Sequence, residues 1–260
     1  MPVRVFIDEL TWPELEERLR ATDIAYLPVG TVECHGPHLP LGTDLYVATA
    51  VCVLAARDTG GLVLPPLAYS FTGATSAFKG AVSVPMRLEA EFVKAILRSL
   101  WGQGFRRLFV VSIHGPNDAP LTLAVRELYE YDGVIAVYFN PYRVIRRLAG
   151  EADPAWLEAC LAYASLTVLG KGHLVPDTSK LRRAEPPPIE APGLEDIWRL
   201  GGVVGFRYTH PLQHMPPREG ISVERGLELL RGAARALADM AEPLKLYVER
   251  ATRGGVGACR

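Results

Sequence analysis

Leu27–Asp44 reads LPVGTVECHGPHLPLGTD, an apolar end of a strand followed at once by a loop full of donor side chains. The apolar run Ile24 to Val29 has the length of a buried strand, and Gly30 breaks it. Beyond the glycine come Glu33, His35, His38 and Asp44, the oxygen and nitrogen donors that divalent first-row metals take. Open α/β sheets bind ligands beyond the carboxyl ends of their strands, so donors placed here mark a candidate site. Glu33 and His35 are two residues apart and share a side if the backbone stays extended. Gly36, Pro37, Pro40 and Gly42 supply the turns that return the chain to Asp44.

Working outward, Val3 to Ile7 is expected as a short first strand. Thr11-Trp12-Pro13-Glu14 has the form of a capping box and predicts a helix from Trp12 to about Ala21. Leu45 to Arg57, almost wholly apolar or small, predicts a helix packed on most of its surface. Gly61–Leu64, Arg107–Ile113 and Gly133–Tyr138 read as strands; Arg87–Gly102, Pro120–Tyr131 and Pro154–Leu169 read as helices. Asn140-Pro141 turns into an arginine-containing helix, and a long last helix is expected from Ser222 to around Val248, before a frayed tail over Gly254–Arg260. Strands alternating with helices predict an α/β fold with a mostly parallel sheet, and residues 1–260 are expected to form one domain.

Further donors recur at loops. The apolar strand ending at Ile113 runs straight into His114-Gly115-Pro116-Asn117, and Gly172-His173-Leu174-Val175-Pro176-Asp177-Thr178-Ser179 carries another histidine and carboxylate. Ala68–Val84 is rich in small and hydroxyl residues, so Ser70, Thr72 and Ser76 are candidates to line a substrate pocket. His210 and His214 lie in a proline-bounded loop and read as local structure. The formal net charge of −1, without runs of like charge, gives no sign of a nucleic-acid partner. Apolar runs stop short of the roughly 20 residues that cross a bilayer. Cys34, Cys52, Cys160 and Cys259 form no C-x-x-C pair, and no secretory leader is visible; reduced thiols and a cytoplasmic location are expected.

Glu33-Cys34-His35-Gly36-Pro37-His38-Leu39-Pro40-Leu41-Gly42-Thr43-Asp44 resembles the signature of the creatininase family of metal-dependent amidohydrolases, E-Q-H-G-P-H-L-P-L-G-T-D, with Cys34 its single departure. The resemblance implies that Glu33 binds one ion, His35 a second, and that Asp44 bridges them. Ser112-Ile113-His114-Gly115-Pro116-Asn117 is similar to the family's N-G-H-G-G-N or N-G-H-x-E-N, which implies His114 as a further metal ligand. Pro116 stands where creatinine-hydrolysing members have a glutamate that completes the second metal site. That ion is therefore in doubt, or its last ligand comes from elsewhere. Residues 172–179 are compared with the family's H-A-G-x-x-E-T-S, one residue shorter and with Asp for Glu. On that comparison His173 protonates the leaving nitrogen and Asp177 is a metal ligand or orienting carboxylate.

The family implies a three-layer α/β/α sandwich, one or two divalent ions per chain (zinc, manganese or iron), and a homo-oligomer. The expected reaction is hydrolysis of a non-peptide C–N bond in a small-molecule amide, cyclic amide or formamide by a metal-activated water. Ser76 and Asn117 are the expected substrate contacts, and no nucleic-acid or membrane partner is expected. The altered second and third motifs leave an alternative: a degenerate relative that binds metal or a partner without turnover.

Overall fold

A computed structural model of the chain describes residues 4–253. Val3, the expected tail 254–260 and Cys259 within it lie outside the described residues. In chain order the helices are α1 (Trp12–Ala21), α2 (Thr43–Thr59), α3 (Met86–Gly102), α4 (Asp118–Asp132), α5 (Tyr142–Ala149), α6 (Pro154–Val168), α7 (Leu194–Arg199), α8 (Pro211–His214), α9 (Val223–Ala238) and α10 (Ala241–Arg253). The strands are β1 (Ile24–Pro28), β2 (Leu62–Val63), β3 (Arg107–Val111) and β4 (Ala136–Phe139). They pair in the order β2-β1-β3-β4, every pair parallel.

Side chains alternate across the sheet, and each set meets its own layer of helices. Ile24 and Tyr26 of β1 and Phe109 and Val111 of β3 face α2, α5, α6, α9 and α10. Ala25, Leu27, Leu108 and Val110 face α3 and α4, with Leu15 and Leu19 of α1 packed at the margin. Both faces are thus covered, which explains why the central strands are apolar at every position but the first of β3, Arg107. The expected α/β/α sandwich is what is seen. Tyr26 and Phe109 stack with ring centroids 5.3 Å apart in the first of these cores. Truncating such a ring costs about 3–5 kcal/mol.

The expected capping box is formed: the Thr11 N–H and hydroxyl both donate to the Glu14 carboxylate, at 2.7 and 2.8 Å. Two expectations are corrected. Of the expected strand Val3 to Ile7, the described residues 4–7 do not build one; the pairing is a single parallel bridge, Phe6 with Val63, because β2 is only two residues long and the chain turns at Ile7–Glu9. The long last helix is two helices, α9 and α10. Pro243 explains the break, since its ring would clash with the Asp239 carbonyl one turn back and it has no N–H to give. Among the described residues no helix is long and apolar enough to cross a membrane.

Candidate metal centre

β1 ends at Pro28, and the Val29 N–H is held by the Val111 carbonyl at 2.8 Å, which locks the exits of β1 and β3 side by side. At Gly30 a Cβ would lie 2.5 Å from the Leu45 backbone, so the start of α2 can press against the strand end only because this residue is glycine. That contact brings Asp44, in the first turn of α2, next to Glu33. His114 follows directly on β3, and Glu158 reaches in from the second turn of α6.

The result is one cluster beneath the carboxyl ends of the strands. His114 Nδ1 lies 3.2 Å from Glu33 Oε1 and 2.9 Å from Asp44 Oδ2. His35 Nε2 lies 3.4 Å from Asp44 Oδ1 and 3.3 Å from Glu158 Oε1. Two donor sets, Glu33/Asp44/His114 and His35/Asp44/Glu158, therefore share Asp44, and each set is compact enough to hold an ion. A third grouping, Glu33/His35/His214, adds a histidine whose Nε2 is 3.7 Å from Glu33 Oε1.

The outward ring nitrogens decide the chemistry of the inward ones. His114 Nε2 meets the Phe71 carbonyl at 2.9 Å and His35 Nδ1 meets the Glu33 carbonyl at 3.2 Å. A carbonyl only accepts, so those nitrogens carry the protons, and the opposite nitrogens aim lone pairs at carboxylate oxygens. Asp44 Oδ2 and His214 Nε2 are buried without any hydrogen-bond donor. Two acceptors held 2.9 Å apart repel each other unless a cation lies between them, and a buried set of three carboxylates and two such imidazoles fits a divalent metal.

In the metal-free protein, protons take that part. Burial opposes charge on both histidines, but Asp44 outweighs it, helped by Glu158 at His35 and by Glu33 at His114. His35 is held well above its ordinary value and His114 rises to about 10. Burial favours the neutral acid at Asp44, yet His35 and His114 hold its carboxyl well below the usual range. A histidine pKa raised on folding stabilises fully below the unfolded value near 6.5, and that contribution is lost as pH rises through the folded value. The melting temperature of chelator-treated protein is accordingly expected to fall between pH 7 and pH 10, while zinc affinity rises over the same interval. Calorimetry in chelator and zinc titration at each pH check the two halves; a melting temperature flat across that range would refute the pairing.

The profile of the Creatininase family, described as creatinine amidohydrolase, matches residues 8–240. The chain belongs to the creatininase family. This creatininase-family chain is 37% identical over 144 residues to the creatinine amidohydrolase of Pseudomonas putida, across 52% of the chain and 55% of the relative. It is 35% identical over 133 residues to the mycofactocin precursor peptide peptidase of Mycobacterium ulcerans, across 45% and 46%. The chain thus spans about half the length of the curated relatives it matches. Among solved structures, "Creatininase Mn" superposes with a TM-score of 0.67 at 26% identity, covering 92% of this chain and 97% of that one. A mutant creatininase of Zn-Zn type superposes equally well.

Against that family pattern, the sequence placement of the third motif needs correction. His173 and Asp177 are exposed and line no part of the cavity; the Asp177 carboxylate accepts from Ser179 and pairs with Lys180. The carboxylate that reaches the cluster from the later half of the chain is Glu158 of α6, in the segment Asp153–Cys160, which reads DPAWLEAC and has no histidine. Asp153 does not face the cavity: it caps α6 through the Trp156 N–H and pairs with Arg218. Asn117 is also misplaced as a substrate contact. It is wholly buried and donates to Ser112 Oγ at 3.1 Å, tying the loop after β3 to the strand end.

The cluster forms the floor of a cavity of about 880 Å³. Thr72, Thr75 and the expected Ser76 line one wall; Phe206 and Tyr208 line another, with Arg207 beside them. The Thr75 hydroxyl donates to Glu33 and fixes that carboxylate. Ser70 is fully buried behind this wall instead of on it. Of the two histidines read as local, His210 caps α8 through the Leu212 N–H, whereas His214 enters the cavity. Its approach depends on Gly36, which has φ +69 and leaves no room for a Cβ: one there would sit 1.9 Å from the Met215 carbonyl oxygen. Gly36→Ala is expected to push the 214–216 segment outward and destabilise the fold by about 1–3 kcal/mol. Metal content should be kept while turnover drops, and unfolding curves beside metal analysis would check it.

Proposed function

We propose that this creatininase-family chain is a metal-dependent amidohydrolase that hydrolyses a C–N bond in a small amide, cyclic amide or formamide other than a peptide. The observation that carries this reading is the pair of donor sets meeting at Asp44, each with an imidazole lone pair turned inward. Glu33, Asp44 and His114 would hold one divalent ion, and His35, Asp44 and Glu158 a second. Zinc, manganese and iron all suit mixed carboxylate and imidazole donors, and the manganese and zinc forms of solved relatives support the same choice. When bound, such ions lower the pKa of water toward neutrality and polarise the scissile carbonyl.

The protein's own groups supply the rest. Thr75 and the Phe71 carbonyl hold Glu33 and His114 in ligating orientation. Phe206 and Tyr208 keep one side of the reaction volume apolar, which strengthens electrostatic interactions inside it. His214 lines the cavity, and burial together with the neighbouring His35 lowers its pKa, so it is a neutral base at pH 7. It would take a proton from the attacking water and pass it to the departing nitrogen, the second of these roles being the one expected of His173.

The reading includes a cytoplasmic location, supported by the free, buried thiols of Cys34, Cys52 and Cys160, and assembly as a homo-oligomer. The test is elemental analysis of purified protein combined with a panel of amides and formamides. About two ions per chain and chelator-reversible hydrolysis are the expected results. Full metal occupancy without turnover across the panel would favour the binding-only alternative, and protein that takes up no metal would refute both.

A further inference from the structure

We infer that Glu89 is a positioning residue for the metal cluster, acting on His114 through the backbone of Phe71. The inference rests on the metal-binding reading of Glu33, Asp44 and His114. Glu89 stands in the first turn of α3 and is 3% exposed, yet it makes no hydrogen bond or ion pair with any of the three. Its Oε2 accepts the Phe71 N–H at 3.1 Å. The carbonyl of that same Phe71 accepts the His114 Nε2–H at 2.9 Å, the bond that turns the Nδ1 lone pair inward. The next peptide N–H, at Thr72, is held by Ser83 Oγ at 3.2 Å. The carbonyl that sets the histidine tautomer is therefore pinned from both sides, by Glu89 and by Ser83.

The helix dipole favours an acid in the first turn of α3, but burial of the whole carboxyl works against it. The second oxygen, Oε1, is buried without a partner, a costly arrangement for a carboxyl. Burial raises the pKa of the group to about 7, a burden that an apolar side chain would not carry. A residue that is unfavourable to the core but bonded to the support of a metal ligand is what a site under functional constraint shows. Among the described residues it lines no pocket and makes no ion pair.

The experiment compares the wild-type protein with Glu89→Leu, Glu89→Gln and Glu89→Ala, using zinc alone in competition with a chelator. Glu89→Gln keeps a carbonyl acceptor for the Phe71 N–H and should bind zinc like wild type. Glu89→Leu should bind one of the two ions about 10–100-fold more weakly, with a metal-free melting temperature equal to wild type or higher. If Glu89→Leu does not fold, Glu89→Ala, which leaves room for the site to relax, takes its place with the same expected loss. Wild-type zinc affinity in the Leu or Ala variant overturns the inference while leaving the metal site intact; so does equal weakening in Gln. Wild-type protein that binds no zinc overturns the metal reading and this inference together.

Discussion

Asp44→Asn is expected to leave the chain folded but free of both ions, with hydrolysis reduced by about a thousandfold or more. The size of the effect follows from sharing. One Asp44 oxygen faces His35 and the other faces His114, so the residue belongs to both donor sets. An amide keeps one oxygen and turns an NH₂ donor toward the other ring nitrogen, where a hydrogen bond replaces the attraction to a cation. Metal content by elemental analysis and fold by circular dichroism separate ligand loss from unfolding. A variant that keeps two ions would rule out Asp44 as the bridge.

Glu158→Gln should behave differently. Here only the His35/Asp44/Glu158 set loses a carboxylate, so metal content is expected to fall from about two ions per chain to about one. Turnover should drop by about a hundredfold or more, because the remaining ion polarises without its partner. The metal-free melting temperature should fall only modestly, since protonated His35 loses Glu158 but keeps Asp44, and the helix carrying residue 158 stays packed by Leu157 and Leu161. This variant addresses the doubt raised by Pro116 directly. Two ions retained after the change would mean that the second site is closed by another donor, His214 being the nearest.

The difference between these residues mirrors what could be read from the sequence. Glu33, His35, Asp44 and His114 were legible because each lies just past an apolar strand, where the parallel sheet places its ligands, and because the first three sit in one contiguous motif. Glu158 was not, for it is a single carboxylate in PAWLEACLAYASLTV, a helix that reads as core. No histidine precedes it at the motif's interval, and the histidine at 173 drew the motif to an exposed turn instead. His214 had no local signal at all. What brings it in is the close approach of the 214–216 segment to Gly36, a tertiary contact between residues far apart in sequence.

The helical origin of Glu158 has a consequence for biosynthesis. Glu33, Asp44 and His114 all precede α4 in the chain, whereas Glu158 and His214 are synthesised only after it. A nascent polypeptide would thus complete the Glu33/Asp44/His114 donor set before the His35/Asp44/Glu158 set, which waits for α6 to dock on the sheet.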